Sequence, residues 1–188
     1  MPISPLSLQQ ISSFLERKKR SAQFFQYSQL PDDPVELSSL FLRPPPSFVF
    51  YTSNGDEVGH WTAMRRGINK QIYWFSSYGF LPDGELMVSA DMRGVPGQQQ
   101  LKISRALEYL RREKGYQINY SRAALQSVGD GSVTCGIWVL MFLTAKLDPS
   151  KDEPQDSHKF EEFEEKLSLL YNPQKYAEAI YNKEIGDK

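Results

Sequence analysis

Apolar positions recur at helical spacing from Ser7 to Lys19, where Leu8, Ile11, Phe14 and Leu15 fall on one side. That spacing predicts a short amphipathic helix. Ser7 and Gln10 stand at the two positions of a capping box. Arg17-Lys18-Lys19-Arg20 closes the segment, where cations suit the C-terminal end of the helix dipole. Phe24 to Pro34 mixes aromatic and turn residues and is expected to be an ordered loop. Val35 to Leu42 predicts a second short helix, stopped by Pro44-Pro45-Pro46.

A strand block follows. Phe48 to Ser53 is apolar and aromatic, Asn54-Gly55-Asp56 is a turn signal, and His60 to Arg66 and Gln71 to Ser77 read as two further strands. Short consecutive strands with tight turns imply an antiparallel meander. Tyr78 to Gln100 is irregular. Leu101 to Lys114 predicts a helix with Leu101, Ala106, Leu107 and Leu110 inward, stopped by Gly115. Tyr116 to Ser121 alternates like another strand. Gln126 to Thr134 is rich in glycine and small residues and leads to Cys135-Gly136 and the apolar run Ile137 to Leu147. Asp148 to Ser157 reads as a polar linker. Lys159 to Tyr171 and Gln174 to Asn182 predict C-terminal helices. The expectation is one α+β domain over residues 1–188, a central, mostly antiparallel sheet packed against helices.

Composition narrows the class. With 188 residues, 40% hydrophobic and 24% charged, the chain suits one domain with a substantial core. A net charge of -1 gives no general drive toward nucleic acid or anionic membrane. One cysteine excludes an internal disulfide and a multi-cysteine zinc site, so no metal or cofactor is expected. The first residues have neither a basic region nor a long apolar region of the secretory type. The apolar run from Gly136 to Ala145 is too short to span a bilayer, so no membrane partner is expected.

The candidate chemistry centres on Cys135. A thiol at a helix start meets unpaired N–H groups and the positive end of the dipole, which favour a thiolate. Beside Trp138, Val139 and Leu140, the same cysteine also reads as a small core residue. A nucleophile needs a base. His158 lies in the charged segment D-S-H-K-F-E-E, which suits a solvated helix start. His60, at the start of an apolar strand, is the plausible partner. The neighbouring strand, Y-W-F-S-S-Y-G, offers Ser76 or Ser77 to orient it but no acid. The Cys135 N–H and the Gln126 side-chain amide are candidate oxyanion donors, each with a structural alternative.

The order G-H-W, then F-x-S-Y-G-F, then Q-S-V with S-x-x-C-G before an apolar helix, resembles the adenovirus-type (adenain-like) cysteine proteases. That family includes virophage and Polinton-type maturation proteases and, more distantly, the ubiquitin-like-protein proteases. The resemblance covers roughly Phe24 to Leu147. It implies a papain-like, adenain-like fold, with Cys135 as nucleophile, His60 as general base, Gln126 in the oxyanion hole and Trp61 as the substrate-binding aromatic after the histidine. Two departures stand out. Gln126 lies nine residues before Cys135, against about six or seven in the family, which reads as a G-D-G insertion. Ser76 occupies the position of the usual acid. Either Ser76 or water orients His60, or an acid such as Asp83 or Asp91 does, or the enzyme is weakened.

The resemblance implies an endopeptidase that cleaves capsid and core precursors beside small residues, often Gly, during virion maturation. It would act in the virion and at the assembly site in host cytoplasm or nucleus, as a monomer. It also implies activation by a peptide or by DNA. With one cysteine, a peptide activator would not be disulfide-linked. Arg17 to Arg20, Arg65-Arg66 and Arg111-Arg112 are the candidate basic stripe for DNA. The alternatives are a ubiquitin- or SUMO-type deconjugating protease, or a catalytically weakened binding module on the same fold.

Overall fold

The computed structural model describes residues 4–53, 59–87, 101–127, 133–144 and 156–185. Local chemistry sets its helix boundaries. In α1 (Leu8–Arg17) the Ser7 hydroxyl accepts the Gln10 N–H and the Gln10 side chain accepts the Ser7 N–H, so the capping box is complete. Asp33 opens α2 (Pro34–Phe41) by accepting the N–H groups of Val35 and Glu36, with proline at the first helical position. Gly115, at φ 71, ends α3 (Lys102–Lys114) in the left-handed conformation that glycine adopts without strain. Then come α4 (Cys135–Thr144), α5 (Asp156–Ser168) and α6 (Pro173–Ile180).

Five strands form one sheet in chain order: β1 (Gln23–Gln26), β2 (Ser47–Ser53), β3 (Gly59–Arg66), β4 (Gln71–Ser76) and β5 (Gln117–Tyr120). The predicted meander is β2-β3-β4, antiparallel throughout. Two expectations are corrected. Phe24 to Pro34 is not all loop, because Gln23–Gln26 pairs with β2 as an edge strand. The sheet is mixed rather than mostly antiparallel, because β1–β2 and β4–β5 are both parallel. A parallel pair needs a crossover, and here α2 lies between β1 and β2 and α3 between β4 and β5.

Helices cover both faces of the sheet. Phe48, Phe50, Met64, Ile72 and Trp74 pack with α2 and α3. Val49, Trp61, Ala63, Tyr73 and Phe75 pack with α1, α4 and the C-terminal helices. This two-sided burial explains why the strands read as almost continuous apolar runs. α4 is buried almost all round, from Cys135 through Leu140 and again at Phe142 and Leu143. A helix without a polar stripe belongs inside the fold. Phe142 stacks on Phe75 with ring centroids 5.1 Å apart, and each such fully buried side chain contributes roughly 1.5–3 kcal/mol. The packing fixes the start of α4, and with it Cys135, against the end of the sheet. Among the described residues, no helix is long and apolar enough to cross a membrane.

Candidate active site

Cys135 is the first residue of α4 and is buried. Burial pushes its thiol up, and the main-chain N–H groups of Trp61, Gly136 and Cys135 itself pull it back only in part. Two of those groups are the unpaired donors of a helix N-terminus. The third belongs to β3. The helix start therefore meets the sheet at the residue that follows His60.

His60 lies near the start of β3, opposite Thr52 of β2. By the pleat it shares a face with Thr62 and Met64, while Trp61 and Ala63 face α4. Of the two serines offered by the neighbouring strand, Ser76 is the one beside the imidazole, its Oγ 3.5 Å from His60 Nε2. The same hydroxyl accepts the Tyr78 N–H at 3.3 Å. The Tyr78 ring stacks on the imidazole, with centroids 4.1 Å apart and planes 19° apart. The imidazole is buried. Its pKa is lowered to about 3, with burial as the cause. At neutral pH the resting site holds a neutral thiol and a neutral imidazole.

Gln126 is buried in the segment after β5, against Ser77. The Leu125 and Gln126 N–H groups both donate to the Ser77 carbonyl, at 2.7 and 3.1 Å. The Ser77 hydroxyl donates to Gln126 Oε1. An amide held by its oxygen presents its nitrogen as a donor, which is the end an oxyanion needs. The G-D-G insertion proposed for the Gln126–Cys135 spacing, Gly129 to Gly131, lies outside the described residues.

Cys135 lines a cavity of about 500 Å³ with Tyr51, Gly59, Trp61, Tyr78 and Val133, walled further by Phe24, Phe25 and the segment Pro5 to Leu8. Trp61 is buried, its indole Nε1 donating to the Leu6 carbonyl at 3.0 Å. Its ring lies 4.5 Å from that of Tyr51. Trp61 is therefore a wall of the cavity held by its own structural bonds. Tyr51 leans over Gly59 so closely that a Cβ there would lie 2.3 Å from its ring. Burial pushes its phenol up, and so does the negative charge of Cys135 once that thiol ionises.

Tyr51 and Tyr78 are site residues that sequence reasoning missed. The signals were present: Tyr51 sits directly across from Trp61, and Tyr78 belongs to the quoted F-x-S-Y-G-F segment. Asp83 is not the absent acid. It accepts from Tyr27 Oη at 2.7 Å, from the Ser104 N–H at 2.7 Å and from the Ile103 N–H at 3.3 Å, and so caps the start of α3. Asp91 lies outside the described residues, as does the His158 side chain. Several of the candidate basic residues are engaged locally. Arg65 is buried, Arg66 donates to the Phe41 carbonyl, Arg111 and Arg112 share Glu108, and Lys18 pairs with Glu184. Among the described residues, no group of three His, Cys, Asp or Glu could hold a metal ion. Comparison of the chain with protein-family profiles and with curated proteins finds no match in either.

Proposed function

We propose that the chain is a cysteine endopeptidase of the adenain-like type, on a papain-like arrangement of central helix and sheet. The observation that carries this reading is the convergence at the start of α4. The Cys135 sulfur meets the N–H groups of Cys135, Gly136 and Trp61 on the wall of a cavity, and the residue before Trp61 is a histidine faced by Ser76. In this reading the imidazole reaches Sγ around the end of β3, and Sγ attacks the peptide carbonyl carbon while its proton passes to His60. The Cys135 N–H and Gln126 Nε2 hold the oxyanion. The C–N bond breaks, His60 returns the proton to the amine, and water hydrolyses the thioester. Because thiol and imidazole both rest neutral, proton transfer belongs to the attacking step.

The substrates proposed are capsid and core precursor polypeptides cleaved beside small residues during virion maturation, in the virion or at the host assembly site. A peptide or DNA activator would act without a disulfide. The test is co-expression with precursor polypeptides encoded beside the chain, followed by intact-mass measurement. Shortened products with the wild type and full-length masses with Cys135→Ala support the reading, and identical masses overturn it.

A second reading has one observation in its favour. A histidine held near pKa 3 and a thiol pushed up, with serine at the acid position, also suit a weakened relative that binds peptides without cutting them. Tight binding of a peptide that Cys135→Ala leaves unchanged, without cleavage, distinguishes it.

A further inference from the structure

The segment Pro5 to Leu8 walls the Cys135 cavity, yet it belongs neither to the sheet nor to α4. Ser7 and Leu8 continue into α1 through the capping box, and two contacts of Leu6 tie the segment to the site. The Leu6 carbonyl takes the Trp61 indole N–H in a buried hydrogen bond of 3.0 Å. The Leu6 side chain, itself buried, lies on Gly136, where an added Cβ would come within 3.0 Å of Leu6 Cβ. One residue therefore touches both neighbours of the reactive pair: the tryptophan after His60 and the glycine after Cys135. Glycine at position 136 is explained by this close approach, since alanine would otherwise serve a helix interior better.

We infer that Pro5–Leu8 is a strap that gates the Cys135 cavity, with Leu6 as the positioning residue that locks Trp61 and the start of α4 in the closed arrangement. This rests on reading that cavity as the reactive site. Toward the sheet and α4 the strap is held by these two Leu6 contacts, against the full ladders that hold the strand walls, so it is the wall that yields first. Moving it removes the Leu6 carbonyl from Trp61 and opens the side of the cavity nearest the sulfur. A substrate or an activating peptide that displaces Leu6 would then expose the thiol without unfolding the core.

The test is the alkylation rate of Cys135 by iodoacetamide in the full chain at fixed neutral pH, which needs no substrate. Leu6→Asp releases the strap by placing a charge against Gly136. Gly136→Ala pushes against Leu6 while favouring the helix, so it keeps the measurement available if Leu6→Asp does not fold. Both are expected to raise the alkylation rate on the order of tenfold, with hydrogen exchange of the Trp61 indole N–H accelerated alongside and the thermal transition still cooperative. Leu6→Met, which keeps the apolar contact, is expected to stay within about twofold of wild type. An alkylation rate unchanged in the folded variants while the Trp61 indole exchanges faster overturns the gate, because the strap would then have moved without uncovering the thiol. Cleavage that persists in Cys135→Ala overturns the peptidase reading instead and leaves the alkylation result standing.

Discussion

Ser76 Oγ lies 3.5 Å from His60 Nε2 and also takes the Tyr78 N–H. A hydroxyl can donate or accept, so it satisfies either imidazole tautomer, whereas a carboxylate only accepts and selects the Nε2–H form. The Nε2–H tautomer leaves Nδ1 as the basic nitrogen. Ser76→Asp is therefore expected to fix the tautomer, raise the proton affinity of His60 and increase kcat/KM by about tenfold. That is a fraction of the roughly 10⁴ a serine-protease triad loses without its acid, because the new carboxylate is buried. Nitrogen NMR of the ring together with peptide kinetics checks it. No change in tautomer or rate contradicts the placement of Ser76.

The neutral imidazole also makes stability depend on pH. In the unfolded chain His60 takes a proton near 6.5, and in the folded protein only near about 3. Between those values the unfolded state binds more protons, so stability falls as pH falls. The expected slope from this group is about 1.4 kcal/mol per pH unit across that window. Denaturant midpoints of wild type and His60→Asn at several acidic pH values should converge as pH drops from 6.5 toward 3. Parallel curves contradict a buried neutral histidine.

Asp83 separates structural from catalytic roles. Its carboxylate satisfies two N–H groups of α3 and the Tyr27 hydroxyl. Asp83→Ala is expected to cost about 1–3 kcal/mol of folding stability. Turnover per folded molecule should remain within about twofold of wild type. A collapse of kcat with stability intact would make Asp83 the acid that position 76 lacks.

Tyr78 stacks on His60, which in the proposed mechanism would hold the imidazole in place. An aromatic pair contributes about 0.5–1.5 kcal/mol, which corresponds to as much as about tenfold in rate if lost at the transition state. Tyr78→Phe should retain kcat, and Tyr78→Leu should lower kcat by up to that factor with little change in KM. Equal effects of the two variants would assign the role to the hydroxyl instead.

Much of this was legible because it is local. The Ser7 cap, the Gly115 stop and the apolar faces of α1 and α3 depend on neighbouring residues alone, as does the placement of Cys135 at a helix start. The β2-β3-β4 order followed from short turns. The parallel edges were not legible, since Gln23–Gln26 has only four residues and its partner lies beyond α2. Adjacent strands narrowed the neighbour of His60 to Ser76 or Ser77, and the pairing of Thr62 with Ser76 decides between them. The Tyr78 stack depends on a turn in which Gly79 adopts φ 71 and its N–H donates to the Ser76 carbonyl at 2.9 Å. The role of Leu6 depends on the N-terminal segment returning to α4, which no periodicity encodes.

The central claim is that Cys135 and His60 together cut peptide bonds. Its most direct measurement is mass spectrometry of a diverse peptide mixture, including Gly-containing sequences, after incubation with wild type, Cys135→Ala or His60→Ala. The account predicts defined new termini with wild type, enriched beside small residues, and none with either variant. The same termini produced by Cys135→Ala, or none produced by wild type, would contradict it.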